Sequence, residues 1–267
     1  METKERTYAL VTGATGGLGK AFVFALAKRG TPLALTGRRL EKLQALKEEL
    51  FKAYPQLSVE IFPADLSSEE SRQALTDAIE RAGIRMHMLV NAAGADIQKG
   101  LLEYTQEKLV FQCRVNFEAA VSLCRFALKQ RAERLEIINI SSVSGIYPMP
   151  YFAIYSATKG ALTSFSLALR EEVRNKNVAV TAILPGAMPT RADIKEQIKG
   201  QGLWGKLAVK SPEWVAEYSL KCVKKNKGKA IPGFWNKVMR VSTACLPASW
   251  KRRFIARRWS KISKDAF

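Results

Sequence analysis

Short apolar runs that alternate with stretches of helical periodicity constrain this chain more than any other feature. Tyr8–Val11, Leu33–Thr36, Val59–Phe62, Met88–Val90, Glu136–Ser141 and Val178–Leu184 read as strands. Helices are expected between them over Lys20–Arg29, Leu40–Lys52, Ser68–Arg81, about Thr105–Lys129 and Tyr155–Asn175. In the second helix Leu40, Leu43, Leu46 and Leu50 are expected to face inward. Strands that are apolar throughout belong to a sheet covered on both faces. Alternation with helices makes that sheet parallel, and right-handed crossovers make it doubly wound.

The expected fold is therefore α/β: a Rossmann-like doubly wound parallel sheet in three α/β/α layers. With 267 residues and 47% hydrophobic content, the chain can bury one large core, which excludes a mostly disordered protein. No fixed-period repeat and no Gly/Ser linker divides it. One domain is expected over 1–232, followed by a basic helical extension over 233–267.

The formal charge of +19 is unevenly placed. Residues 221–267 hold fourteen Lys and Arg against one acid, Asp265. Such a field attracts polyanions: nucleic acid, anionic lipid or phosphorylated ligands. The start, Met1–Arg6, is polar and leads straight into a strand, so no signal peptide is expected. The uncharged stretch Ile137–Thr158 is broken by Ser, Gly and Pro, and Pro232–Trp250 is interrupted by Lys237 and Arg240, so neither reads as a membrane span. Cys113, Cys124, Cys222 and Cys245 form no CxxC pair, and His87 is the single histidine. A zinc site is not expected; the thiols read as buried and reduced, in a cytoplasmic setting. His87 reads as a packing residue.

The first strand runs into Thr12-Gly-Ala-Thr-Gly-Gly-Leu-Gly19 and then a helix. The spacing Gly13, Gly17, Gly19 differs from GxGxxG, with the same physics. One Gly permits the tight turn, one lets backbone approach a pyrophosphate, and one packs helix against sheet. Helix N-terminal amides then face the phosphates. The second strand ends at Gly37-Arg38-Arg39, where an acid would select the ribose 2′-hydroxyl of NAD. Arg38 instead suits a 2′-phosphate through forked charge-assisted donors, so NADP(H) is the expected cofactor.

With these residues in hand the chain resembles the short-chain dehydrogenase/reductase (SDR) family over roughly residues 6–190. Thr12–Gly19 matches TGxxxGxG, and Asp65-Leu66 the adenine-side contact. Asn91-Ala92-Ala93-Gly94 matches NNAG with one Ala substituted, and Asn139–Ser142 the strand-end serine. Tyr155-Ser-Ala-Thr-Lys159 matches YxxxK, and Pro185-Gly186 with Thr190 matches PGxxxT. The resemblance implies cofactor contacts at Gly13, Thr15, Gly16, Gly17, Leu18, Gly19, Arg38, Asp65, Leu66, Asn91, Ala92, Ala93, Gly94, Tyr155, Lys159, Pro185, Gly186, Met188 and Thr190. It implies a catalytic set of Asn116, Ser142, Tyr155 and Lys159, with Asn116 holding a water that relays protons to Lys159. A second YxxxK, Tyr104–Lys108, has Asn91 where Tyr155 has Ser142, and follows no strand. Tyr104 reads as a surface or helix-start residue.

Tyr155 and Lys159 are four apart on one helix face. A nearby ammonium favours phenolate and lowers the tyrosine pKa from about 10. The phenol then exchanges a proton with a carbonyl or alcohol oxygen, which Ser142 also holds. Ser142 has a plainer alternative as a cap, and Asn116 as an ordinary helix residue. The rival functions are a non-catalytic NADP-binding sensor or scaffold, and a basic nucleic-acid-binding module, although no nucleic-acid-reading motif accompanies the charge.

Substrate selection is expected between Ser144 and Ile154, with Ile146, Tyr147, Met149, Tyr151 and Phe152. A lid is expected over Met188–Trp214, with Leu203, Trp204 and Leu207 and hinges at Gly200, Gly202 and Gly205. An apolar lining suits a lipophilic ketone or aldehyde. Ile231-Pro-Gly233 is a candidate short seventh strand. Ser249–Ser263 places Ile255, Trp259 and Ile262 at helical spacing among cations. It reads either as a cationic helix on the core or as a contact with an anionic membrane surface. The faces of the helices near 105–129 and 155–175 are candidates for pairing subunits in a homo-oligomer.

Overall fold

The structure is a computed structural model, and it describes residues 7–190 and 209–260. Seven parallel strands form one sheet in the order β3-β2-β1-β4-β5-β6-β7. They are β1 Thr7–Thr12, β2 Leu33–Gly37, β3 Val59–Pro63, β4 Arg85–Asn91, β5 Arg131–Ile140, β6 Val178–Ile183 and β7 Lys229–Ala230. The order reverses between β1 and β4, which opens a crevice at their C-terminal ends.

The helices are α1 Gly17–Ala27, α2 Leu40–Ala53, α3 Glu69–Arg81, α4 Gln106–Cys113, α5 Ala119–Lys129, α6 Ala153–Glu172, α7 Pro212–Lys224, α8 Phe234–Ala244 and α9 Ala248–Trp259. One face of the sheet packs on Phe22 and Leu26 of α1, Leu43, Leu46 and Leu50 of α2, and Val215 and Val223 of α7. The other packs on Leu75 and Ile79 of α3, Leu123 and Phe126 of α5, and Leu169 of α6. That is the three-layer arrangement expected of apolar, non-alternating strands.

The structure corrects four local expectations. Leu40 is 44% exposed, because it is the first residue of α2 and lies ahead of the turn that meets the sheet. The helical region over 105–129 runs on without a break, but it is not uniformly α: Arg114–Glu118 forms a π-turn within it. The seventh strand is Lys229–Ala230 and not Ile231–Gly233, since Ala182 and Ile183 pair with those two residues and Pro232 has no amide hydrogen to extend the ladder. Cys245 is exposed, while Cys124 and Cys222 are buried; all four thiols are free. The expected lid falls mostly on residues 191–208, and Ile262 on 261–267, outside the described residues.

Candidate active site

The glycine-rich turn leaves β1 with Gly13 at φ +60°, a left-handed conformation that favours glycine. A Cβ on Gly13 would stand 2.9 Å from Ala93 Cα, and one on Gly19 would stand 2.0 Å from Gly13 O. Backbone therefore packs on backbone at both positions. Gly16 caps α1 without a side-chain hydrogen bond, and no acid lies in the helix's first turn. The residues fit an anion at the helix N-terminus: Gly16 and Gly17 are exposed, and Thr15 and the buried Leu18 complete the turn.

Arg38 is exposed at the end of β2, with its guanidinium 5.6 Å from the Phe111 ring. A Cβ on Gly37 would come within 3.7 Å of Thr15 Oγ1, so Arg38 begins beside the phosphate turn. Asp65 accepts hydrogen bonds from Ser67 N and Oγ, and Leu66 is buried behind it. Charge and phosphate turn thus lie together at the crevice, a layout that fits a dinucleotide with a 2′-phosphate.

The Asn91–Gly94 segment is held from three sides. Thr12 Oγ1 accepts from the amides of Ala92 and Ala93, each at 3.0 Å. Asn91 turns into the sheet and donates to Asn139 Oδ1 at 2.8 Å, and Asn139 donates to Ser166 Oγ. Asn91 thus ties β4 to β5. Asn116 accepts from Ala95 N at 2.7 Å and donates to Ala95 O at 2.8 Å. Its amide is occupied as an anchor for this segment, and its place inside the π-turn brings it there.

Lys159 is buried, and its Nζ donates to Ile140 O at 2.8 Å. Burial pushes its ammonium down to about 8, against a smaller upward pull from Asp96. A Cβ on Gly94 would sit 3.2 Å from Asn116 Oδ1 and 3.3 Å from Lys159 Nζ, so the two side chains converge on that glycine. Lys159 Nζ is also 5.8 Å from the Tyr155 ring centroid. Ser142 is buried at the end of β5 and accepts from Ser144 N at 3.1 Å, which fixes its hydroxyl at the start of the next turn. The capping role and the placement at the site coexist.

Pro185 O accepts from Val143 N at 3.0 Å, tying the segment after β6 to the one after β5. Thr190 N donates to Met188 O at 2.8 Å, and the Thr190 side chain lies over Gly17, where a Cβ would meet it at 2.8 Å. Residues 185–190 thus reach back to the phosphate turn. Tyr104 stands before α4 and donates to Ile97 O at 2.9 Å, outside the Lys159 cluster. His87 lies within β4; burial lowers its pKa, and its Nδ1 is buried without a hydrogen-bond partner.

Several contacts that position the site carried no usable signal in the sequence. Ser141 Oγ donates to Lys159 O at 2.7 Å. A Cβ on Gly145 would stand 2.7 Å from Gly160 N, so this turn presses directly on α6. Asn236 of α8 lies against Gly186, where a Cβ would meet its amide at 2.8 Å. Phe152 stacks on Tyr155 with centroids 4.3 Å apart, and Trp259 of α9 stacks on Phe152 at 6.0 Å. Tyr151, just before this stack, has φ +63°, a costly conformation for a bulky residue.

A family model described as short chain dehydrogenase matches residues 7–199. The chain is 32% identical over 226 residues to a very-long-chain 3-oxoacyl-CoA reductase of Bos taurus, covering 81% of this chain and 68% of that protein. It is 32% identical over 187 residues to 17-beta-hydroxysteroid dehydrogenase type 3 of Homo sapiens, covering 68% of this chain. That match spans only 59% of the human protein's length. Among solved structures, L-sorbose reductase from Gluconobacter frateurii, complexed with NADPH and L-sorbose, superposes with a TM-score of 0.75 at 26% identity. The superposition covers 87% of this chain and 97% of that one.

Proposed function

The chain belongs to the short-chain dehydrogenase family, and from that premise we propose that it is an NADP(H)-dependent oxidoreductase acting on a lipophilic carbonyl compound or the matching secondary alcohol. The observation that carries this reading is the convergence of Lys159 and Asn116 on Gly94, with Tyr155 one helical turn from Lys159 and Ser142 at the neighbouring strand end. NADP(H) would lie across the crevice, its pyrophosphate on the Gly16–Gly17 amides and its 2′-phosphate at Arg38. Asp65, Gly94, Gly186 and Thr190 would border the same path. When bound, that cofactor supplies the hydride.

The chain's own residues supply the proton and hold the oxygen. The Tyr155 phenol donates its proton to the carbonyl oxygen as that oxygen gains charge, and Ser142 Oγ holds the same oxygen. The Lys159 ammonium stabilises the phenolate left behind. Asn116 holds the Ala95 backbone, and through it Gly94, in place beside Lys159. The Phe152 ring excludes water from one face of Tyr155. Apolar groups at Met149 and Phe152 favour a lipophilic substrate, which agrees with the 3-oxoacyl and hydroxysteroid substrates in the names of the two relatives.

We also read the C-terminal segment as the part that meets an anionic membrane surface. Among the described residues no helix is long and apolar enough to cross a membrane. The deciding experiment follows NADPH oxidation over carbonyl compounds of graded chain length, for the wild type and Tyr155→Phe. The variant is expected to bind NADPH and lose turnover. Unchanged turnover would sink the reading.

A further inference from the structure

The helices α8 and α9 present two faces with different fates. One is seated on the core. Asn236 meets Gly186, Thr243 Oγ1 and Tyr147 OH share a 2.8 Å hydrogen bond, and Trp259 stacks on Phe152. The other face carries Phe234 and Val241 on α8, seven apart and so on one side, and Trp250 and Phe254 on α9, four apart. All four are 65–71% exposed, and Leu246 between the helices is 45% exposed. Residues 234–260 hold seven Lys and Arg and no acid.

Where Tyr147 meets these helices lies a cavity of about 260 Å³. Ile146, Tyr147, Pro148 and Ala248 line it together with Arg240, Lys251 and Arg252, with no acidic residue among them. Lys251 Nζ is held over the Tyr147 ring, 5.8 Å from its centroid, and donates to Thr243 O. Three cationic residues on one concave site that also holds the Tyr147 ring suit a phosphate group. Exposed aromatics beside it suit the headgroup boundary of a bilayer.

We infer that this cavity binds the phosphate of an anionic phospholipid while Phe234, Val241, Trp250 and Phe254 enter the bilayer interface. The inference rests on the membrane reading of the tail and narrows it to one site. It also places the Trp259–Phe152–Tyr155 stack beside the lipid surface, so a substrate dissolved in the bilayer has a short path to the phenol.

Two triple variants of equal charge separate a site from bulk attraction. Arg240→Gln/Lys251→Gln/Arg252→Gln empties the cavity wall of charge. Lys221→Gln/Lys224→Gln/Lys225→Gln removes three exposed cations at the far end of α7. That helix of 13 residues spans about 20 Å, roughly two Debye lengths at physiological salt. Sedimentation of the full chain with phosphatidylcholine vesicles, with and without phosphatidylglycerol, reads the partition.

The wild type is expected to bind only the phosphatidylglycerol vesicles. The cavity variant should bind on the order of a hundredfold more weakly, and the far-end variant within about threefold of wild type. Equal losses in the two variants, or no loss in the first, overturn the site and leave the membrane reading standing. Failure of the wild type to bind overturns both. NADPH titration checks that each variant is folded. If the cavity triple fails that check, Arg252→Gln alone takes its place, with a weakening of roughly fivefold expected and no change overturning the site.

Discussion

The Tyr155 ring lies parallel to Phe152, 14° between planes, and Phe152 lies within 17° of parallel to Trp259. A residue near the end of the chain thus completes a stack on the proposed proton donor. An aromatic pair of this kind contributes about 0.5–1.5 kcal/mol. Trp259→Ala is expected to raise KM for long-chain carbonyls about two- to tenfold, with little change for short-chain ones. Equal effects on both would detach α9 from the substrate path.

Lys159 sets a pH dependence with opposite signs for stability and activity. Its folded pKa is about 8, below the 10.5 of an exposed lysine. Between those values the unfolded chain binds more protons, so this residue's contribution to stability rises with pH across that window. Below pH 8 the full cost, about 3 kcal/mol, is present. Denaturant unfolding of the wild type relative to Lys159→Met should therefore improve from pH 8 to 10. Carbonyl reduction should decline through the same window as the ammonium that supports Tyr155 is lost. A pH-independent stability difference would contradict the buried-ammonium account.

Gly145 leaves no room for a side chain, because the atoms a Cβ would meet are backbone atoms of Lys159 and Gly160. Gly145→Ala must push the Ser142–Ile146 turn off α6. The expected cost is about 1–3 kcal/mol, with kcat falling more than NADPH affinity. Melting and steady-state kinetics measure both. A fully active, equally stable variant would show that the turn has slack.

Arg38 is expected to choose between cofactors. Arg38→Asp removes a charge-assisted donor set worth about 1.5–3 kcal/mol. KM for NADPH should rise by roughly tenfold or more, and KM for NADH should fall. Unaltered preference would move the 2′-phosphate contact elsewhere.

Asn116 makes both halves of a pair with Ala95. Asn116→Asp keeps the shape and the acceptor but sets a carboxylate oxygen against the Ala95 carbonyl. A loss of about 1–3 kcal/mol is expected, along with reduced turnover. Wild-type melting and kinetics would show that the anchor is dispensable.

The strands, the phosphate turn and the YxxxK helix were legible because local rules govern them. Apolar runs set the strands, glycine spacing sets the turn, and a four-residue interval sets Tyr155 and Lys159 on one face. Leu40 was misplaced because periodicity does not register that a helix's first residue lies short of the sheet. The π-turn at Asn116 escaped because one extra residue in a turn leaves the apolar pattern of Gln106–Lys129 nearly unchanged.

By itself the sequence determined the sheet, its helical layers, the order of the motifs and the excess of cations beyond residue 220. All of these follow from intervals along the chain. Tertiary structure alone decided that Asn116 holds Ala95, that Gly145 presses on Gly160, that Asn236 meets Gly186 and that Trp259 reaches Phe152. The last two join residues separated by 50 and 107 positions. No local propensity encodes such contacts: they exist because the folded sheet and its helices bring distant surfaces together, and close packing admits only side chains that fit.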